Sequence, residues 1–479
     1  MVGIVSYGAY VPRYRLARKT ISAAMSWFSG GGGPGEKAVA NHDEDAVTMA
    51  VAAGTDCLTG LKRETLEALY LATVSAPYKD RQDAGIVAAA LDLNPDIRTA
   101  DFTDSPKAGT AALIAGCDAV KAGSAGSVIV CAADCRVAKP GSFEEGSYGD
   151  GAAAFVVGDS HVIASLGGSY CVTRDFMDRW RAEDERFAHG SEDRWIRDEG
   201  YTKFMAQAMA GLLKKYGLSA KDFAKVVYPC LYVREHAAIG KSLGFKPEQV
   251  QQEQLTTVGD SGVAHPLTML VAALEDAKPG DRILVASYGN GSDAVFFEVT
   301  DQIAGAGQRR GMKKHLALKK DLPSYERYLA LRNVLPTEKG LRGETGPTQV
   351  TLMWRDRKVI LALYGSRCKR CGTPQYPDQR ICVNPDCGAV DEMEEYRFAD
   401  KMARLFSYTS DSLAFSVSPP EMYGVIDFEG GGRYLLDITD AEAESLKIDM
   451  PVEMTFRRRY TDEAHGILGY FWKARPAAG

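Results

Sequence analysis

TDSPKAGTAALIAGCDAVKAGSAGSVIVCAAD (103–134) and VGDSGVAHPLTMLVAALEDAKPGDRILVASYG (258–289) are two versions of one pattern. Each places Asp-Ser before an Ala-rich helical stretch, then a Gly-containing turn, then a run of strand-forming apolar residues. Asp104 precedes Val128 by 24 residues, and Asp260 precedes Ile283 by 23. Beyond the first copy, SYGDGAAAFVV (147–157) is echoed at the end of the second by SYGNGSDAVFF (287–297). A duplicated α/β domain with two pseudo-symmetric halves is the reading that unites these stretches. The competing explanation is chance likeness between Ala/Gly-rich helices.

The surrounding sequence keeps the same rhythm. LEALYLATV (66–74), SVIVCAAD (127–134), AAAFVVG (152–158), FAKVVYP (223–229), RILVASYG (282–289) and AVFFEV (294–299) read as strands buried on both faces. Residues 46–58, 109–123, 201–217 and 265–280 have helical spacing, and the last two stretches run to Gly217 and Gly280, a normal helix stop. From about residue 350 the chain changes to strands at regular spacing with Gly, Pro and Asp turns. TQVTLMWRDRKVILALYGS is read as the first of them. The expected organisation is a duplicated α/β domain over 1–345, a cysteine-bearing module over 346–395 and a small all-β barrel over 396–479.

Composition sets the outer limits. The chain has 479 residues, 57 Lys+Arg against 63 Asp+Glu, a formal charge of −6, and 45% hydrophobic residues. That is a globular, multidomain mixture and excludes a mainly disordered chain. The mild acidity gives no footprint for nucleic acid or an anionic membrane, and the barrel lacks the clustered aromatics of a single-strand binder. No apolar run approaches the roughly 20 residues of a membrane span, and the N-terminal stretch has no secretion-signal pattern. A cytoplasmic protein is expected.

Of ten cysteines, six are scattered through the first 230 residues and four fall together as Cys368, Cys371, Cys382 and Cys387. The C-x2-C and C-x4-C pairs, ten residues apart and each followed directly by a glycine (Gly372, Gly388), predict a four-thiolate zinc ribbon. With every ligand supplied by protein, the Zn²⁺ would be structural.

GIVSYGAYVPRYRL, HDEDAVTMAVAA, KAGTAAL, YGDGAAAFVVG, KSLGF, AKPGDRILVASYGNGSDA and SYERYLALR together resemble the thiolase superfamily, and most of all its bacterial and archaeal hydroxymethylglutaryl-CoA synthase branch, over about residues 1–340. Residues 350–479 are similar to the zinc-ribbon/OB-fold proteins that accompany thiolase-like enzymes. The resemblance implies a five-layer αβαβα core, a homodimer or larger homo-oligomer, and carbon–carbon bond chemistry on an acyl-CoA thioester.

The same resemblance implies that the usual machinery is absent. The family's nucleophilic Cys, just before Lys-Ala-Gly-Thr, is Pro106 here. Its acid/base Glu before Ser-x-Pro-Tyr is Val74, and its His after the FAKVV-type strand is Pro229, with Cys230 beside it. Ser105 is an unactivated neighbour of the lost thiol. What remains is Asp104 and Ser105 before the first helix, Asp260 and His265 before the second, and Tyr288 on SYGNG. If the halves converge as in the family, His265 with Tyr288 or Asp260 forms an acid/base set for a β-hydroxyl proton.

Lys107, Lys241, Arg309 and Arg310 are the candidates for coenzyme A phosphates. The expected function is aldol or retro-aldol chemistry on a β-hydroxyacyl-CoA without a cysteine acyl-enzyme. The alternatives are Claisen or synthase-like condensation using Cys230 or another thiol, and a catalytically silent scaffold for a thiolase-like partner subunit.

Overall fold

The computed structural model describes residues 1–26, 33–306, 309–338 and 348–477. The expected domain boundary at 345/346 lies outside the described residues. Contacts divide the chain into a unit built from 1–41, 45–88 and 93–328, and a second built from 42–44, 89–92 and 329–479. Among the described residues no helix is long and apolar enough to cross a membrane.

The first unit is organised by nine strands: β1 (Gly3–Tyr10), β2 (Ala68–Ala72), β3 (Arg98–Phe102), β4 (Ser127–Asp134), β5 (Gly151–Gly158), β6 (Ala164–Thr173), β7 (Lys225–Val227), β8 (Arg282–Tyr288) and β9 (Gly291–Val299). Their order is β7-β8-β9-β6-β1-β5-β4-β2-β3. β6 and β1 meet only through Gly3–Ser165 and Ile4–Ala164, so two half-sheets join at a short seam.

The halves match strand for strand. In the first, β1 is antiparallel to β5, β5 to β4, and β4 is parallel to β2. In the second, β6 is antiparallel to β9, β9 to β8, and β8 is parallel to β7. Where β3 pairs in parallel with β2, a single parallel bridge, Val226–Val250, extends β7. The duplication read from the sequence is therefore present in the connectivity.

Side-chain alternation explains the layers. On β4, Val128, Val130 and Ala132 enter the central core, while Ile129, Cys131 and Ala133 point the other way and are equally buried. On β8, Ile283 and Val285 join that same central core and Leu284 and Ala286 join a second one. The central layer holds two helices, α2 (Ala108–Lys121) and α4 (His265–Glu275). α4 is apolar on every side, with Leu267, Met269, Leu270, Val271 and Leu274 all buried, as a helix between two sheets must be.

The outer helices are one-sided. α3 (Thr202–Tyr216) buries Met205, Ala208, Met209 and Leu212, the i, i+3, i+4, i+7 stripe, against the second half-sheet. α1 (Ala46–Cys57) packs on β1, β5 and β4. The sequence of layers is α1, half-sheet, α2 with α4, half-sheet, α3: a five-layer αβαβα core.

α1 begins with a reciprocal cap. Thr48 N donates to Asp45 Oδ1 at 2.9 Å, and Asp45 N donates to Thr48 Oγ1 at 2.8 Å. Asp45→Ala removes one acceptor for an otherwise orphaned helix N–H and should cost about 1 kcal/mol. Urea titration of the first unfolding transition measures it.

In the second unit, β10 (Tyr364–Cys368), β11 (Pro374–Gln375) and β12 (Met393–Arg397) form an antiparallel ribbon ordered β11-β10-β12. β13 (Ala403–Asp411), β14 (Glu421–Phe428), β15 (Arg433–Asp437), β16 (Pro451–Asp462) and β17 (Ile467–Pro476) form an antiparallel sheet ordered β15-β14-β13-β16-β17. Ile438, just past β15, bridges to Ala474 on β17, which brings the two edges together as in an OB-type barrel.

Three readings of the sequence are corrected. The stretch from 350 onward is not one strand: Val350–Arg355 and Arg357–Ala362 are short helices, and only Tyr364–Cys368 is extended. Its mixed apolar pattern fits period 3.6 as well as period 2, and Leu363, at φ 54°, ends the helical part. The second repeat helix stops at Glu275 and not at Gly280, whose φ of 85° instead makes the turn into β8. β1, β3 and β6 were not anticipated, and β6, with the sequence ASLGGSYCVT, offers few of the β-branched residues that mark a strand.

Candidate active site

The repeat places the starts of α2 and α4 beside each other. A Cβ on Gly109, in the first turn of α2, would collide with the Val263 carbonyl oxygen, two residues before His265. Glycine here lets the helix start and the loop approach at backbone distance. A Cβ on Gly289, directly after β8, would sit 2.5 Å from Ser105 Oγ and 2.9 Å from Lys107 N. The DSPK loop, the 260–265 loop and the end of β8 thus converge on the first turn of α2.

His265 opens α4 and its side chain is 1% exposed. Its Nδ1 lies 3.3 Å from Asp260 Oδ1, and its Nε2 is buried with no hydrogen-bond partner among the described residues. A carboxylate only accepts, so in the neutral ring this contact assigns the proton to Nδ1 and leaves a lone pair on Nε2.

Asp260 is itself held. Arg136 Nη2 is 2.8 Å from its Oδ2 and donates to its carbonyl oxygen at 2.6 Å, while Gly262 N donates to Oδ1 at 3.0 Å. Burial by itself would raise the Asp260 carboxyl. The Arg136 guanidinium, with hydrogen bonds from His265 and Arg136, outweighs burial and holds it well below the usual carboxylate range.

A second carboxylate ties the loops together. Asp134, at the end of β4 and fully buried, accepts from Val263 N at 2.9 Å through Oδ2. Its Oδ1 accepts from Val74 N at 2.9 Å, Ser75 Oγ at 2.8 Å and Thr73 Oγ1 at 3.0 Å. Val74 and the His265 loop, 189 residues apart from 74 to 263, are therefore fixed to one side chain. Burial raises the Asp134 carboxyl, and Arg136 with the hydrogen bonds only partly offsets this.

Tyr288 ends β8 among aromatic rings, 5.4 Å from Tyr201 and 6.5 Å from Phe204 between centroids. Its Oη is buried with no partner of hydrogen-bond geometry among the described residues. Burial, reinforced by nearby Asp178, raises the phenol far above its ordinary value. Arg179 lies nearby, 3.3 Å from Glu144 Oε1 through its Nε, and with its backbone N donating to Asp178 Oδ1 at 2.6 Å.

The other expected residues are distributed as follows. Asp104 is exposed at φ 71°, a left-handed backbone rare outside Gly and Asn/Asp. Ser105 Oγ accepts one long bond from Lys107 N at 3.4 Å, with no base on it among the described residues. Lys107 Nζ is in an ion pair with Asp293 at 3.0 Å. Lys241 is exposed on the helix Val233–Ser242.

Arg309 lines a cavity of about 280 Å³ with Val5, Thr59, His161 and Ile163. β1 runs parallel to β4, both being antiparallel to β5, so this cavity near the start of β1 is at the opposite end of the sheet from Asp134. Arg310 is anchored beside it, its backbone N donating to Asp56 at 2.8 Å. The structure does not bring Arg309 and Arg310 to the convergent loops.

Asp134, Arg136 and Tyr148 escaped the sequence reading. The signal was present in ADCR (133–136), where opposite charges directly follow a buried strand at its C-terminal end, the usual ligand-facing end in α/β folds.

The cysteines separate cleanly. Cys57, Cys117, Cys131 and Cys230 are buried, and burial pushes the Cys230 thiol up to about 12. In the second unit the Sγ atoms of Cys368, Cys371, Cys382 and Cys387 all lie within 4.8 Å of one another, with 3.8 Å between Cys368 and Cys387 and 3.5 Å between Cys371 and Cys382. A tetrahedral ion with Zn–S bonds of about 2.3 Å spaces its sulfurs about 3.8 Å apart, so the donor set fits zinc. Gly372 and Gly388, at φ 77° and 55°, make the turns that aim each pair inward.

Comparison with known proteins agrees with this architecture. Residues 396–457 match the family profile described as "ChsH2, C-terminal OB-fold domain". The chain is 34% identical over 344 residues to the hydroxymethylglutaryl-CoA synthase of Methanopyrus kandleri, an alignment covering 70% of this chain and 98% of that one. It is 34% identical over 341 residues to the enzyme of the same name from Pyrococcus furiosus, covering 70% and 93%. A solved HMG-CoA synthase in complex with CoA superposes with a TM-score of 0.63 at 21% identity, over 73% of this chain and 94% of that one. A 3-oxoacyl-[acyl-carrier-protein] synthase III from Aquifex aeolicus does so with 0.55 at 21%, over 62% and 100%. The chain belongs to the hydroxymethylglutaryl-CoA synthase family of the thiolase superfamily, with an OB-fold domain joined to it.

Proposed function

We propose that this protein makes or breaks a carbon–carbon bond β to a coenzyme A thioester by aldol or retro-aldol chemistry, without a cysteine acyl-enzyme. The observation that carries this reading is the Asp260–His265 pair, with Nε2 buried and unpartnered, beside a helix start where the family's thiol is replaced by Pro106. In the cleavage direction, His265 Nε2 takes the proton of the β-hydroxyl and that oxygen becomes a carbonyl. The Cα–Cβ bond breaks, and its electron pair passes to the thioester as an enolate, which is then protonated at Cα. The atoms balance with no co-reactant. Tyr288 is the candidate acid, and its neutral phenol keeps a proton to donate.

Recruitment of Cys230 for Claisen chemistry is disfavoured by its surroundings: it is 1% exposed, and its Sγ donates to the Tyr232 carbonyl oxygen at 3.0 Å. Cys368, Cys371, Cys382 and Cys387 are the residues that would hold a zinc ion. A closed four-thiolate shell gives that ion a structural role. The same reading includes a cytoplasmic homodimer or larger homo-oligomer, for which the free thiols favour a reducing compartment.

The test is a panel of β-hydroxyacyl-CoA thioesters, with the carbonyl product trapped as a hydrazone and the shorter acyl-CoA measured by mass spectrometry. Equimolar carbonyl compound and shortened acyl-CoA are expected. Free coenzyme A appearing with neither would reject the reading.

A further inference from the structure

Arg136 takes no direct part in the proposed reaction, yet it is held against the pair on which that reaction depends. It lies two residues past the end of a buried strand with 12% of its side chain exposed, where desolvating a charge is costly. Its guanidinium lies 3.8 Å over the Tyr148 ring, and its Nη2 meets Asp260 at two oxygens. Asp260 divides its carboxylate between the two neighbours: Oδ2 faces Arg136, while Oδ1 faces Gly262 N and His265 Nδ1.

We infer that Arg136 is the positioning residue that supplies the counter-charge of Asp260 and so leaves His265 neutral, with a free lone pair on Nε2. The charge count gives the reason. With Arg136 present, Asp260 is neutralised by a permanent cation, and the imidazole need not bind a second proton. Without it, His265 is the one other group among the described residues that contacts the buried carboxylate and can become a cation. Among the described residues, other ionisable groups around the pair include Asp134, which braces the same loop, Tyr148, Arg179, Glu144, Tyr232, and His236 on the helix Val233–Ser242. His236 Nε2 lies 3.1 Å from the Tyr228 carbonyl oxygen and makes no ion pair with Asp260. Arg136 touches no reacting atom in the proposed chemistry.

The inference rests on the proposed reaction for its meaning, but its test does not. In protein labelled with ¹⁵N-histidine, the His265 resonances are assigned by their loss in His265→Gln. Wild type at neutral pH should show the Nδ1–H tautomer. Arg136→Gln should show the doubly protonated imidazolium pattern. Arg136→Lys, which keeps the cation, should retain the wild-type pattern. In activity, Arg136→Gln should lose rate at pH 7 and recover it as the pH is raised, because its acid limb moves to higher pH, with KM little changed.

If Arg136→Gln does not fold, Tyr148→Leu removes only the face that carries the guanidinium and should give a partial imidazolium fraction. A folded Arg136→Gln, or a folded Tyr148→Leu, whose His265 spectrum matches wild type would overturn the inference. Wild-type protein that turns over no β-hydroxyacyl-CoA would reject the reaction and leave the nitrogen spectrum to judge the clamp.

Discussion

His265→Gln will lower kcat for β-hydroxyacyl-CoA cleavage by about 10²–10⁴-fold, the range that a positioned general base contributes. Glutamine approximates the volume of the imidazole and can still donate to Asp260, so the loop keeps its hydrogen bond while the proton acceptor disappears. KM should change much less than kcat, because Nε2 acts on a proton in motion and not on the bound thioester as a whole. Ser105→Ala is the matched control. Ser105 Oγ accepts one long bond and has no base on it among the described residues, so its removal should leave kcat within about twofold if it plays no chemical part. Steady-state kinetics on both variants, with circular dichroism to confirm folding, decides the matter. Equal losses in the two would point to a damaged loop instead of a missing base.

Cys382→Ser will take one of the four thiolates from the proposed zinc site and unfold the ribbon. The buried core around this module consists of Cys368, Cys382 and Ala389, with Cys387 and Met393 packed against it. Three of those five are thiolates in waiting, so without an ion there is almost no apolar cluster to hold the two knuckles together. Structural zinc in comparable small modules contributes about 10–16 kcal/mol of apparent binding free energy, which here is folding free energy. The expected zinc content is one ion per chain in wild type and near zero in the variant, with protease cutting within 369–392 faster in the variant than in wild type. Serine is nearly the size of cysteine, so loss of structure would follow from the lost ligand. A variant that keeps the protection without zinc would show that the ribbon stands on its own contacts.

Much of the fold was legible because duplication writes itself twice. Two Asp-Ser–helix–turn–strand segments gave the α2/β4 and α4/β8 pairs, and the SYG-x-G echo gave the turns into β5 and β9. Apolar runs on β4 and β8 implied cover on both faces, which the five layers supply. The cysteine spacing carried the ribbon, since metal ligands are a local sequence signal. Strands held by their neighbours rather than by their own propensity stayed hidden: β6 is rich in Gly and Ser and is extended because β9 pairs along its whole length. Residues 350–362 were misread for the converse reason, a short apolar stretch compatible with both periods.

The site divided along the same line. His265 and Asp260 were accessible because they share one loop. Arg136 was not, because its meaning depends on a partner 124 residues away in sequence. The basic pair Arg309 and Arg310 looked suited to phosphate by composition alone, yet sheet direction puts it at the far end of the strands. Charge counts along a chain cannot report which end of a sheet a loop returns to.

The proposed chemistry cleaves the bond with no acyl group on the protein. Intact-protein mass spectrometry of the enzyme, quenched during turnover of a β-hydroxyacyl-CoA, measures it directly. Retro-aldol cleavage leaves an unmodified chain at every time point while carbonyl product and shortened acyl-CoA accumulate together. An adduct of acyl mass that forms and decays at the turnover rate, on Cys230 or any other cysteine of the first unit, would contradict it.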